Sequence, residues 1–132
     1  MTAYMADKTT PEDLGMSYIL RLVQRYHSSA AQAFLELEAE FKNLEDRSRE
    51  LVPGKRYQLL SEDEPVNTFV WECEFATLDE VQVALKKMAD NPIHTELFEK
   101  QMRYIVEART EIYETIDFKQ KTDSTVATDV VI

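Results

Sequence analysis

The sequence predicts an α+β domain with element order β-α-β-β-α-β, and three observations carry that reading. Val66–Phe75 (VNTFVWECEF) alternates Phe69, Trp71, Cys73 and Phe75 with Val70, Glu72 and Glu74, the period of two expected of a strand with one oily and one acidic face. Ser17–Tyr26 alternates in the same way, setting Tyr18, Leu20 and Leu22 against Ile19, Arg21, Val23 and Arg25. Between and after these strands lie two stretches whose apolar residues recur every three or four positions, the spacing of an amphipathic helix.

Taken in order, residues 1–16 lack periodicity and are rich in turn formers, which predicts a mobile leader. After the first strand, Ser29 and Gln32 have capping-box spacing, and Ala30, Phe34, Leu37, Phe41 and Leu44 draw one helical stripe. Glu38 with Lys42 and Glu45 with Arg49 are placed as i,i+4 pairs on the opposite, solvent side. Pro53-Gly54 is expected to end this helix and turn the chain. Lys55–Leu60 suits an edge strand, and SEDEP turns it into Val66–Phe75 as a hairpin with a longer loop. Thr77 and Glu80 form a second capping box before the stripe Val81, Leu85, Met88. Asp90-Asn91-Pro92 interrupts this helix, since Pro92 pushes Asn91 out of helical angles and then starts a new turn. Leu97, Met102 and Ile105 continue an apolar face to about Val106, and Arg109–Ile116 is the last strand. The tail, residues 119–132, ends TVATDVVI; it has strand propensity, and either disorder or addition to a neighbouring chain fits it. The domain is thus expected over residues 17–118.

The totals narrow the function classes. At 132 residues one domain with an ordinary core is expected, and 44% apolar with 30% charged residues describes a soluble globular chain. Asp plus Glu number 25 against 15 Lys plus Arg, a formal charge of −10, and no basic run offsets that field; nucleic acid is disfavoured as a partner. No apolar run approaches the about 20 residues that span a bilayer, and the acidic, proline-bearing N-terminus does not read as a signal peptide. Cys73 is the only cysteine, which precludes an intrachain disulfide and fits a cytoplasmic protein.

Right-handed crossovers place both helices on one face of an antiparallel sheet, the ferredoxin-like arrangement, with the first and third strands expected as central, parallel neighbours. Tyr18, Leu20, Leu22, Phe69, Trp71, Cys73 and Phe75 then pack under the helices. The opposite face still carries Ile19, Val23 and Val70, and a second subunit packed sheet to sheet is the simple cover for it.

At this point the chain resembles the dimeric α/β-barrel superfamily, in which two ferredoxin-like subunits pack sheet against sheet. The segment FVWECEFATLDEVQVALKKMADNPIHTELFEKQMRYIVEARTEIYE is similar to the NIPSNAP-type pattern: a tryptophan-bearing strand, a capped helix, an asparagine before proline, and a last strand with a TEIY-like centre. The likeness covers roughly residues 17–117. It implies a homodimer, and relatives that include cofactor-free monooxygenases, cyclases, haem-handling proteins and members with no settled activity. Asn67 and Trp71 also resemble the asparagine four residues before a tryptophan in antibiotic-biosynthesis monooxygenases; no third partner follows at a matching position.

What the resemblance implies for function is a small-molecule protein with a pocket between sheet and helices, holding a small hydrophobic or aromatic ligand. The first reading is a cofactor-independent monooxygenase or cyclase acting on a planar, partly aromatic compound. In it Trp71 stacks on the ligand, Asn67 polarises an oxygen and His94 or a tyrosine moves a proton, while Tyr57, Tyr104 and Tyr113 each line the pocket or carry a phenolic proton. The alternative is a non-catalytic NIPSNAP-like binding or interaction module. Each residue also has a plain role: Trp71 in the core, Asn67 capping a turn, His94 on a helix's first turn, Cys73 as a small buried hydrophobe. Arg21 and Arg25 beside Glu72 and Glu74 read as an interfacial ion network, or otherwise as an anion clamp. Two histidines without metal-ligand spacing do not make a protein-held zinc site, and a single axial histidine for haem is the weak remainder. With two glycines in the chain there is no phosphate loop, and no cofactor is expected.

Overall fold

The computed structural model describes residues 16–61 and 66–118; the leader expected over 1–16 lies almost wholly outside them, and the tail expected over 119–132 lies outside them entirely. Four strands, β1 (Tyr18–His27), β2 (Lys55–Gln58), β3 (Val66–Phe75) and β4 (Ile105–Glu114), form one sheet in the order β2-β3-β1-β4. Three helices cover one face: α1 (Ala31–Arg47), α2 (Leu78–Asp90) and α3 (Pro92–Gln101). This is a ferredoxin-like arrangement.

β1 and β3 are central neighbours as expected, but they run antiparallel, pairing Tyr18 with Phe75 through to His27 with Val66. The reason is topological. The α1 crossover makes β2 parallel in direction to β1, and the β2–β3 hairpin then reverses β3. β4 is antiparallel to β1 on its other side.

The two faces separate as alternation demands. Leu20, Trp71, Phe41, Leu44, Leu51, Val81, Met88 and Leu97 form the main core, flanked by Tyr18, Leu22, Cys73 and Phe75. Tyr26, Phe34 and Phe69 form a second cluster, with the Tyr26 and Phe34 rings stacked at 4.0 Å. On the open face Arg21 pairs with Glu72 at 2.7 Å and lies over the Tyr113 ring. Arg25 reaches Glu107 on β4 rather than Glu74, because the register puts Glu74 opposite Ile19, at the other end of β1.

Several boundaries differ from expectation. The chain enters α1 through a 3-10 turn, Ser28–Ala30, with no side-chain cap, and Gln32 bonds Glu36 instead. α1 stops at Arg47 with Ser48 extended, six residues before Pro53, and the intervening segment drops Leu51 into the core. Lys42 pairs with Asp46, not Glu38. α3 ends at Gln101, leaving Met102 exposed, while Ile105 opens β4 four residues before the expected strand start. The caps of α2 and α3 hold as read: Thr77 Oγ1 accepts from Glu80 N, and Asn91 Oδ1 accepts from Ile93 N and His94 N with Pro92 at the first helical position.

Candidate functional site

A cavity of about 460 Å³ lies between the sheet and the helices. This is within the roughly 300–1,000 Å³ of small-molecule sites. Leu22, Phe41, Leu85, Met88 and Phe98 form apolar walls, and Ala108 and Thr110, exposed on the edge strand β4, form part of the rim. Small side chains at these two strand positions leave room that larger ones would fill.

The polar end of the cavity is built by α1, in contrast to the purely apolar stripe its sequence predicts. Phe34, Glu38, Phe41 and Glu45 recur at the helical repeat, and two acids therefore share the inward stripe. The expected i,i+4 solvent pairs of Glu38 and Glu45 are corrected accordingly: both carboxylates turn inward to Arg56. Arg56 sits opposite Trp71 in the β2–β3 register and so projects under the helices. Its Nε donates to Glu38 Oε2 at 2.7 Å, while Nη1 and Nη2 donate to Glu45 Oε1 and Oε2 at 3.1 and 2.7 Å, a bidentate fork. Burial pulls the Arg56 guanidinium's pKa down, but the bonds to Glu45 and Glu38 outweigh it and hold the pKa above its ordinary value. Glu45 further accepts from Trp71 Nε1 at 3.1 Å and from Gly54 N at 3.2 Å. Gly54 is required by this close approach, since a Cβ there would fall on the Trp71 indole.

Gln101 completes the end. It is fully buried, and its Nε2 donates to Glu38 Oε1 at 2.9 Å and to the Phe34 carbonyl at 3.3 Å. With two acceptors facing Nε2 the amide orientation is determined, and Oε1 is left with no partner. His94, held by the Asn91 cap, packs edge-on against Phe41 at 4.8 Å. Burial lowers its pKa below the usual 6.5, against a weaker opposing pull from Glu45, and the imidazole is neutral at pH 7.

Of the residues singled out from sequence, the cavity brings together Trp71 and His94. Asn67 lies on β3 towards the Tyr26 cluster, where its Nδ2 donates to Tyr26 Oη and its Oδ1 accepts from Ser28 Oγ, at 3.3 and 3.1 Å. Tyr57 and Tyr113 sit on the opposite sheet face, because their registers place them across from Val70 and Ile19. Tyr104 lies in the 3-10 turn Met102–Tyr104 and does not line the cavity. Cys73 is half-buried beside the core, and desolvation raises its thiol pKa, as expected of an inert side chain. The described residues contain no cluster of three potential metal ligands, and no described helix is long and apolar enough to cross a membrane. Sequence reasoning missed Glu38, Glu45, Arg56 and Gln101; the available signal was the pair of acids at the apolar phase of α1.

No protein-family model and no curated protein matches this chain. Solved structures do. A NIPSNAP family protein from Agrobacterium tumefaciens superposes with a TM-score of 0.60 at 16% identity, over 77% of this chain and 88% of that one. A second NIPSNAP family protein of unknown function from the same organism is 25% identical, with a TM-score of 0.55 over 78% and 90% of the two chains. A candidate antibiotic biosynthesis monooxygenase from Deinococcus radiodurans gives 0.57 at 12% identity, over 76% and 93%. The fold is the one these three proteins share.

Proposed function

We propose that this protein is a small-molecule-binding module of the NIPSNAP-like kind, holding a compact, largely apolar ligand between helices and sheet without transforming it. The observation that carries the reading is the cavity of about 460 Å³ whose charged groups are already tied to one another. Arg56 and Trp71 Nε1 both donate to Glu45, a preorganised wall rather than a set of free acids and bases. Fold likeness to both NIPSNAP proteins and candidate monooxygenases is compatible with binding in this position. Trp71, the sole tryptophan, lines the cavity and reports on it directly. Titration with neutral phenols, quinones and alicyclic alcohols is expected to give saturable change in Trp71 emission, lost in Thr110→Phe, which plugs the rim. No response to any compound by fluorescence or calorimetry would overturn the reading.

Catalysis is favoured by one observation, the His94 imidazole on the cavity wall against Phe41, where burial favours the neutral form that accepts a proton. A cofactor-independent oxygenase or cyclase would use it with Trp71 as the stacking surface; Asn67 would first have to release Tyr26 and Ser28. Ligand-dependent oxygen consumption abolished by His94→Phe is the outcome that would move the assignment to this reading.

Dimerisation belongs to the same proposal. The open sheet face combines Ile19 and Val70 with half-exposed Tyr57 and Tyr113 around the Arg21–Glu72 pair, whereas Val23, expected there, is already buried within the chain. A second copy packed on it buries those side chains. Light scattering at micromolar concentration is expected to return twice the chain mass, and a stable monomer would remove this part.

A further inference from the structure

The polar end of the cavity holds more negative than positive charge, the other lining cation, Arg109 on β4, being bonded to Glu107 and Glu111. Glu38 and Glu45 face one guanidinium, that of Arg56, and all three side chains are less than one-fifth exposed. Two carboxylates against one cation leave one negative charge in excess, and a buried excess charge attracts a cation strongly because water screens it poorly. The acceptors are distributed unevenly. Both Glu45 oxygens already take two donors each, from Arg56 and Gly54 on one and from Arg56 and Trp71 on the other. Each Glu38 oxygen takes a single donor, Gln101 Nε2 or Arg56 Nε, and keeps a lone pair.

The second observation is independent of the charge. Gln101, fully buried and lining the cavity, has its Oε1 without any partner. Nearly all buried polar atoms are bonded, and an orphan acceptor on a residue that lines a cavity points to a donor supplied by what the cavity holds, reached once the side chain turns towards it. A carboxylate ligand offers no donor and meets the excess negative charge. An alcohol offers one donor. A protonated amine offers up to three donors and a positive charge, matching Gln101 Oε1 and the open side of Glu38.

We propose that the ligand is an aliphatic or alicyclic amine, its ammonium group bonded to Gln101 Oε1 and Glu38 and its apolar body against Phe41, Met88 and Phe98. The inference rests on the cavity-binding reading above and adds the chemical class. Three probes of one shape separate the two: adamantane-1-methylamine, adamantane-1-methanol and adamantane-1-carboxylate. They are titrated into the full chain at pH 7.5 by calorimetry and Trp71 fluorescence. The amine is expected to bind at least tenfold more tightly than the alcohol, and the alcohol at least tenfold more tightly than the acid. Glu38→Gln should remove the advantage of amine over alcohol. Gln101→Met, close in size, should weaken amine and alcohol together. Equal binding by the three, or preference for the acid, would overturn the amine class while leaving the cavity reading intact. No binding by any of them also overturns it, and the neutral phenol and quinone series then decides whether the cavity reading falls too.

Discussion

Replacing Arg56 by methionine keeps most of the aliphatic stem and removes the only cation paired with Glu38 and Glu45 among the described residues. Three hydrogen bonds are lost, at 2.7, 3.1 and 2.7 Å, and the two carboxylates remain less than one-tenth exposed. Removing one partner of a buried ion pair costs about 3–5 kcal/mol, chiefly because a charge is left buried without compensation. An exposed pair would cost about 1 kcal/mol or less. Arg56→Met is therefore expected to lower unfolding free energy by about 3–5 kcal/mol. Urea unfolding followed by Trp71 emission and by far-UV circular dichroism measures it, and coincident transitions would validate a two-state treatment. The combined variant Glu38→Gln, Glu45→Gln, Arg56→Met removes the orphaned charges and should recover most of the loss. A loss below about 1 kcal/mol for Arg56→Met would refute the claim that this network is buried in energetic effect. Loss of the full amount with no recovery in the combined variant would instead assign the effect to packing of the arginine stem.

Two further outcomes follow from the same neighbourhood. Gly54→Ala forces a methyl group into the Trp71 indole and is expected to destabilise by about 1–3 kcal/mol or more, with a shift in Trp71 emission; thermal unfolding with wild-type stability would contradict the close packing. Desolvation lowers the folded-state pKa of His94 below its unfolded value, so the unfolded chain binds the extra proton and acidification favours unfolding. His94's contribution is fully present above about pH 6.5 and is lost as pH falls towards the lower folded value, at up to about 1.4 kcal/mol per pH unit. His94→Phe should flatten stability in that window relative to wild type; identical pH profiles would show that His94 is not held neutral by burial.

Most of the fold was legible because the two central strands, β1 and β3, carry an unambiguous two-residue period and the α2 and α3 caps are encoded locally. Thr77, Asn91 and Pro92 act through neighbours within four residues, and such signals survive into the structure unchanged. The end of α1 was not legible. Nothing at Ser48 stops a helix by propensity alone; there the chain leaves helical angles, and Leu51 further on seats in the core, a choice set by tertiary packing that Pro53-Gly54 only follows. The start of β4 at Ile105 was missed for a related reason: its pairing with Tyr26 follows a register shift that skips Val106 of β4, which no local pattern announces.

The candidate site was less legible than the fold, and the difference has one physical source. A helix that presents acids at its inward phase looks amphipathic with its i,i+4 pairs outside, because Lys42 and Arg49 offer tempting partners in sequence. The guanidinium that claims Glu38 and Glu45 comes instead from an edge strand 18 and 11 residues further along. Arg56 reaches them because the β2–β3 register puts it beside Trp71, and Trp71 in turn donates to Glu45. The tryptophan that read as either core or pocket wall is thus both at once: buried, and the point where the apolar core meets the charged end of the cavity. Asn67, matched to Trp71 by spacing alone, shares its strand face but sits where Tyr26 and Ser28 take its amide. Even spacing determines the face of a strand; only packing determines which cavity that face meets.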